Sequence, residues 1–275
     1  MIIDWKKTAQ KIYDSLKEEI KNSQKEYSLT AILVGKNSPS LRYIKQKEKW
    51  ANYVWIKFRL LEFDDNISEK ELLEVIRNLN NDPKTTAFIV QLPLPKHINT
   101  EKIINSISAK KDADWFTPIN LWKLVLWDKN ALISCTPAGI MELLKEYKIE
   151  LLWKNAVIIW RSNIVWKPLA NLFINAWATT TICNSKTKNL EFFTKNADII
   201  VVATWKPHLL KASMVSENSI IIDVWFSVID WKILGDCDFG NLEKKVKLIT
   251  PVPGWVWPMT VACLMKNTIK AGNIS

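Results

Sequence analysis

The stretch N-A-V-I-I-W-R-S-N-I-V-W-K-P-L-A, residues 155–170, decides the fold. It opens with a near-continuous apolar run, which is typical of a parallel strand buried on both faces, and it continues through a short turn into a helical pattern. Comparable runs recur along the chain and alternate with helical stretches, which predicts a two-lobed α/β protein. The predicted strands are 30–35, 56–63, 86–92, 155–160, 179–184, 197–204 and 219–224, and the predicted helices include 39–53, 68–80, 137–148 and 258–271.

Tryptophan brackets the turn in that stretch, as Trp160 and Trp166. The chain has 15 tryptophans and 6 glycines, whereas about 7% glycine, roughly 19 residues, is ordinary for this length. Many tryptophans stand at turns, where glycine is favoured and an indole fits badly. We hypothesise that most of these codons are UGA, translated as Trp, in an organism that reads UGA as Gly. Tryptophan at positions 160 and 166 in peptides of the native protein would refute this, and the alternative is a genuinely Trp-rich protein.

Composition excludes several classes of function. The chain has 38 basic and 28 acidic residues, a net charge of +10, but the lysines are dispersed and no nucleic-acid motif is present. No apolar run approaches the ~18 residues of a membrane span, and the N-terminus lacks a signal-peptide pattern. The four cysteines are scattered, so neither a zinc site nor a disulfide framework is predicted. We therefore expect a cytoplasmic protein with a small-molecule substrate and no nucleic-acid or membrane partner.

The turn after residues 155–160 also predicts a cofactor. With glycine at 160 and 166 it reads G-R-S-N-I-V-G-K-P, in which backbone N–H groups and a helix N-terminus face a pyrophosphate. The next strand ends in Cys183, Asn184, Ser185 and Lys186, without the carboxylate that holds the ribose of NAD. Arg161, Ser162 and Lys186 suit a 2′-phosphate, which favours NADP. An ordinary loop with one surface arginine is the alternative, because the motif is not a strict G-x-G-x-x-G.

The candidate catalytic residues lie in the first lobe. Tyr43 and Lys47 are four residues apart and share one helix face, so Tyr43 could stack on a flat heterocycle while Lys47 transfers a proton. Gln91 lies at the end of strand 86–92, where ligands bind in open α/β sheets, and could orient a carbonyl or a water. Asp114 could accept hydrogen bonds from an amino-heterocycle, or could simply form a turn. The lysines of this helix could equally be solvent-facing.

Together these segments resemble the bifunctional methylenetetrahydrofolate dehydrogenase/methenyltetrahydrofolate cyclohydrolase family over nearly the whole chain. The blocks that carry the resemblance match best when Trp is read as Gly, with Trp50 the exception. They are S-x-x-Y-x-x-x-K (40–47), V-Q-L-P-L-P (90–95), K-D-A-D-W-F-T-P-I-N (111–120), C-T-P-A-G-I-M-E-L-L (135–144), W-R-S-N-I-V-W-K-P-L-A (160–170) and P-V-P-G-W-V-W-P-M-T (251–260).

The resemblance implies NADP-dependent oxidation of 5,10-methylenetetrahydrofolate and hydrolysis of the methenyl product to 10-formyltetrahydrofolate, in one-carbon metabolism that feeds purine biosynthesis. It implies a homodimer and a folate-binding catalytic domain at 1–118, with helix 258–275 packed back on it. A Rossmann-like NADP-binding domain at 119–257 would face it across a cleft. Lys47 would transfer the proton and, with Gln91, position water, while Tyr43 would stack on the folate. Asp114 would hold the pterin, and the folate lid would include Pro253, Gly254 and Trp255. Trp160, Arg161, Ser162 and Phe226 would contact NADP.

Two departures and two alternatives stay open. Phe226-Ser227 replaces the usual Ile-Asn, and Asn184 replaces a common His, which puts cofactor affinity and NADP preference in doubt. The chain could be a dehydrogenase without cyclohydrolase activity, although the presence of Lys47 and Gln91 argues against this. If the tryptophans are real, it could be a non-catalytic scaffold that does not bind NADP.

Overall fold

A computed structural model of the chain describes residues 2–114, 117–160, 166–252 and 257–274. The chain divides into two compact units, one of Gln10–Cys135 with Val261–Ser275 and the other of Met1–Ala9 with Thr136–Thr260. The α/β class predicted from the sequence is confirmed. In the described ranges, no helix is long and apolar enough to cross a membrane.

The unit that contains Lys47 is built on a three-stranded parallel sheet in the order β2-β1-β3. Strand β1 lies in the centre and is buried almost throughout because helices cover the sheet. The side chain of Asn37 caps α2 by accepting a hydrogen bond from Ser40 N. The elements are α1 (Trp5–Ser23), β1 (Ser28–Val34), α2 (Ser38–Tyr53), β2 (Lys57–Phe63), α3 (Glu69–Asn81), β3 (Ala87–Val90), α4 (Thr100–Asn105) and α5 (Pro118–Val125).

The second unit is built on a five-stranded parallel sheet in the order β10-β7-β6-β4-β5. Strand β6 is buried at every residue, as expected for a parallel strand covered on both faces. The elements are α6 (Cys135–Glu146), β4 (Asn155–Trp160), α7 (Trp166–Asn175), β5 (Thr179–Cys183), α8 (Leu190–Lys195), β6 (Ile199–Ala203), a 3-10 helix (Ala212–Met214), β7 (Ile220–Asp223), β8 (Phe226–Ile229), β9 (Lys232–Gly235), α9 (Phe239–Leu242), β10 (Leu248–Ile249) and α10 (Trp257–Ile274).

All seven predicted strands are present, as β1 to β7. Helix α5 is not among the helices predicted from the sequence. The antiparallel hairpin of β8 and β9 has no counterpart among the sequence predictions.

Three tryptophans end helices in the left-handed conformation. Trp55, Trp127 and Trp177 follow α2, α5 and α7 with φ of 64°, 61° and 64°. In each case the tryptophan N–H donates to the carbonyl three residues before it, and the next N–H donates to the carbonyl five residues before itself. This is the Schellman pattern, in which glycine is the usual residue at the left-handed position because a Cβ is unfavourable there.

Two further tryptophans lie in turns of glycine type. Asp230 and Trp231 connect β8 to β9 with φ of 47° and 62°, and a two-residue hairpin loop with both φ positive strongly prefers Asp-Gly. Trp153 has φ of 62°, and Lys154 N donates to Leu151 O across the turn, a geometry that prefers glycine at the third position. These conformations support the hypothesis that the native residues are glycines.

Candidate functional site

Helix α2 carries Tyr43 and Lys47 one turn apart. The Lys47 side chain is almost completely buried, with the residue 9% exposed, whereas Tyr43 is 38% exposed. Burial of a lysine is uncommon unless partners compensate it. The solvent-facing alternative is therefore wrong for Lys47, although it holds for the exposed Lys45 and Lys49.

Gln91 supplies one partner for the buried ammonium. Lys47 Nζ donates to Gln91 Oε1 at 3.1 Å. Gln91 N donates to Ile32 O, which continues the pairing of β3 with β1 by one residue, and Gln91 Nε2 donates to Leu92 O at 2.9 Å. Because both ends of the amide are bonded, its oxygen is directed at Lys47.

Asp114 supplies the second partner. Its Oδ2 lies 3.9 Å from Lys47 Nζ. The preceding residues extend the sheet, since Phe88 N donates to Lys111 O and Phe88 bridges to Asp112. The structure therefore brings together three of the predicted catalytic residues, Lys47, Gln91 and Asp114, from three separate segments.

Cys135 closes one side of this cluster. Its Sγ donates to Ala113 O at 3.5 Å. Complete burial raises the pKa of the thiol well above its ordinary value, and the nearby charge of Asp114 raises it further. The thiol is therefore a neutral packing group at neutral pH. It lies in the C-T-P-A-G block, but sequence reasoning gave it no role.

The second unit carries the predicted cofactor residues. Its strands follow the doubly wound order, with β5, β4, β6 and β7 as the second, first, third and fourth strands. In such sheets ligands bind outside the carboxyl ends of the strands where the order reverses, here β4 and β6. This topology places a ligand site at the carboxyl ends of β4 and β6. Trp160 is the last residue of β4, and half-buried Phe226 begins β8.

Tryptophans stand at or just after the carboxyl ends of three neighbouring strands. Trp160 ends β4, Trp205 follows β6 with φ of 59°, and Trp225 follows β7. The rings of Trp205 and Trp225 stack with centroids 4.6 Å apart. Close approach of a pyrophosphate to backbone requires glycine-like residues at such an edge, so the strand order fits a nucleotide ligand while the indoles of Trp205 and Trp225 do not.

Five predicted site residues lie outside the described ranges: Arg161, Ser162, Pro253, Gly254 and Trp255. The Trp160 side chain is likewise not described.

Two aspartates accept backbone hydrogen bonds in the loops beside β6. Asp236 accepts hydrogen bonds from the backbone N–H groups of Thr204, Trp205 and Lys206. Asp223, at the end of β7, accepts from Asp236 N and Cys237 N. Sequence reasoning did not single out these two aspartates. The sequence feature that could have identified them is an aspartate next to apolar residues, in D-V at 223–224 and in G-D-C-D at 235–238.

Comparisons with known proteins cover both units. Residues 3–114 match the tetrahydrofolate dehydrogenase/cyclohydrolase catalytic domain, and residues 134–275 match the NAD(P)-binding domain of the same family. The bifunctional protein FolD of Nautilia profundicola is 44% identical over 98% of this chain and 96% of its own length.

Several solved structures are similar over all of this chain. The bifunctional FolD methylenetetrahydrofolate dehydrogenase/cyclohydrolase of Campylobacter jejuni is 43% identical, with a TM-score of 0.96 over 99% of that chain. The Trypanosoma brucei dehydrogenase-cyclohydrolase, complexed with NADP cofactor and an inhibitor, is 29% identical, with a TM-score of 0.92 over 97% of that chain.

Proposed function

Because the chain belongs to the tetrahydrofolate dehydrogenase/cyclohydrolase family, a family of bifunctional enzymes of one-carbon folate metabolism, we propose that Lys47, Gln91 and Asp114 carry both of its reactions. The single observation that supports this assignment most strongly is the buried Lys47 ammonium, which contacts Gln91 Oε1 at 3.1 Å and Asp114 Oδ2 at 3.9 Å. A buried amine with a neutral and a charged partner is suited to proton transfer.

The first reaction oxidises the methylene carbon of 5,10-methylenetetrahydrofolate. The nicotinamide ring of the cofactor, when bound, accepts the hydride and its two electrons, and the substrate becomes a methenyl cation shared by N5 and N10. Tyr43 presents an aromatic face one helical turn from Lys47, and an aromatic face stabilises a nearby cation. Asp114 accepts hydrogen bonds from the amino-heterocycle of the folate and so places the reacting carbon beside Lys47.

The second reaction adds water to the methenyl carbon. Gln91 and Lys47 hold the water, whose oxygen bonds to that carbon. The bond from carbon to N5 then breaks as N5 takes up a proton, and the second proton of the water leaves through Lys47. The products are 10-formyltetrahydrofolate and one proton. The presence of both Lys47 and Gln91 favours this second activity over a dehydrogenase that lacks it.

NADP is the proposed cofactor. The strand order around β4 and β6 supports a dinucleotide, and a relative that is 29% identical was crystallised with NADP. Arg161, Ser162 and Lys186 are proposed to bind the 2′-phosphate. We expect binding in the protein with glycine at 160, 205 and 225. NADP⁺ should then raise its unfolding temperature more than NAD⁺ at equal concentration, since a ligand stabilises the form that binds it. Equal effects of the two nucleotides would contradict the NADP preference.

The remaining expectations belong to the same proposal. We assign the folate-binding catalytic domain to 1–118 with 258–275 and the NADP-binding domain to 119–257. We also propose a homodimer in which the NADP-binding domains pair. Light scattering at micromolar concentration checks the mass, and a monomer would remove the dimer from the proposal.

The experiment that tests the catalytic assignment compares two lysines of one helix in the version of the chain with glycine at all fifteen tryptophan positions, which is the parent in every activity test below. Lys47→Ala removes the proposed proton-transfer group, whereas Lys45→Ala removes an exposed lysine two residues away. We expect Lys47→Ala to lower the rate of methenyl hydrolysis by about 10²-fold or more and Lys45→Ala to leave it unchanged. Hydrolysis at the parental rate in Lys47→Ala would refute the role of Lys47.

A further inference from the structure

Asn267 lies on α10, in the part of that helix that belongs to the unit of Lys47. It is 6% exposed, and most of the other buried residues of the helix are apolar. Buried amides are costly unless they are hydrogen-bonded. The partners of Asn267 therefore identify what this side chain does.

The amide of Asn267 bonds two separate backbone segments. Its Nδ2 donates to Ala113 O at 2.8 Å and to Ile133 O at 2.7 Å, and it lies 3.7 Å from Cys135 Sγ. Two short bonds from one nitrogen use both of its hydrogens. The carbonyls of residues 113 and 133 are thereby held at a fixed separation.

Ala113 immediately precedes Asp114, whose carboxylate pairs with Lys47 at 3.9 Å. On the other side, the bridge between Phe88 and Asp112 fixes the same segment to the sheet. The backbone beside Asp114 is thus anchored to β3 before residue 113 and to α10 at residue 113. Within the described ranges, loss of Asn267 leaves the Ala113 carbonyl with only the weaker hydrogen bond from the Cys135 thiol at 3.5 Å.

We infer that Asn267 is a positioning residue for the Lys47–Asp114 pair, acting through the carbonyl of Ala113. This inference rests on the proposed function, because the pair is proposed to carry the reactions. Misplacement of a reacting group by about 1 Å costs on the order of 10²-fold in rate. A side chain that touches neither substrate nor cofactor can therefore control turnover.

A double-mutant cycle separates positioning from general damage. Asn267→Leu is made in the parent and in the Asp114→Asn background, and each rate constant for folate oxidation is measured in a single turnover with enzyme in excess. We expect Asn267→Leu to lower the rate by about tenfold or more in the parent and by less than about threefold in the Asp114→Asn background. Equal losses in the two backgrounds, or no loss in the parent, would overturn the inference.

Asn80→Leu is the matched control. Asn80 Nδ2 donates to Ser106 O, and its Oδ1 accepts from Ser108 N, so this variant also removes a bonded amide from the same unit. We expect it to lower the unfolding temperature without changing the oxidation rate, and an equal rate loss would overturn the inference.

Asn267→Ser, which keeps a shorter donor, repeats the cycle if the leucine variant does not fold. A parent without turnover would refute the proposed function, whereas an active parent with equal losses refutes the role of Asn267 alone.

Discussion

The ammonium of Lys47 donates to the side-chain oxygen of Gln91 across 3.1 Å, although the two residues are 44 positions apart in the chain. A neutral oxygen satisfies the buried ammonium without adding a second negative charge beside Asp114. Lys47 therefore keeps one charged and one neutral partner.

Replacement of that neutral partner by a charged one tests the arrangement. Gln91→Glu puts a second carboxylate beside Lys47, which favours the protonated form of the amine and opposes proton transfer. We expect methenyl hydrolysis to slow by about 10²-fold, measured as loss of methenyl absorbance. Gln46→Glu, at an exposed position of the same helix, is the control and should hydrolyse at the parental rate. An unimpaired Gln91→Glu variant would show that the neutral partner is unimportant.

Exchange of tryptophan for glycine should change the free energy of unfolding in opposite directions at two exposed sites. Trp231 is 98% exposed with φ of 62°, so Trp231→Gly relieves backbone strain and should raise the free energy of unfolding by about 1 kcal/mol. Trp122 is 61% exposed within helix α5, where glycine costs about 1 kcal/mol. Urea unfolding of both variants checks the signs. Destabilisation by Trp231→Gly would contradict the assignment of strain to that turn.

The hairpin illustrates what the printed sequence conceals. Trp231 stands at an apparent turn in the sequence, and there Asp230-Trp231 takes the two positive φ values of a tight hairpin turn, which Asp-Gly favours and Asp-Trp does not. The two four-residue strands on either side of the turn were not predicted. The seven parallel strands were predictable because their apolar runs do not depend on glycine. Helix α1 was also missed, although Trp5, Tyr13, Leu16 and Ile20 are buried at helical spacing.

The catalytic cluster was predictable in part. Spacing within α2 placed Tyr43 and Lys47 on one face, but only the resemblance to a family connected Lys47 with Gln91 and Asp114, because no local period relates residues so far apart. Asn267 gave no signal of its own beyond an amide in the C-terminal helix. Its role depends on which carbonyls approach that helix, and this is a property of the tertiary fold.

Asp223 should make stability depend on pH. Burial raises its pKa from 3.8 to about 7, and the charge of Asp236 adds to the shift. Between these values the folded state binds more protons than the unfolded state, so stability falls as pH rises from about 4 to 7. The loss is on the order of 4 kcal/mol, and burial of Asp236 acts in the same direction. Asp223→Asn should flatten this fall in urea titrations at pH 5 and pH 7.5, whereas Asp230→Asn in the exposed turn should not. An unchanged fall in Asp223→Asn would contradict the assignment.

The Asp223 carboxylate also leaves no room for a Cβ at position 235. A Cβ on Gly235 would collide with Asp223 Oδ2 and come within 3.0 Å of Val252 Cβ, whereas a Cβ on Gly240 meets nothing within 4 Å. We expect Gly235→Ala to lower the free energy of unfolding by about 1–3 kcal/mol and Gly240→Ala, in α9, to raise it by up to about 1 kcal/mol. Equal stabilities of the two variants in urea would show that the site at 235 can relax.

The most direct test measures NADP⁺ reduction driven by 5,10-methylenetetrahydrofolate with two proteins, the chain as written and a version with glycine at all fifteen tryptophan positions. We predict activity in the glycine version alone, because tryptophan residues 160, 205 and 225 stand at the carboxyl ends of β4, β6 and β7, where the cofactor is proposed to bind, and glycine leaves the backbone accessible there. Activity in neither version would leave the fold standing and contradict the proposed function, and activity in the chain as written would contradict the glycine hypothesis.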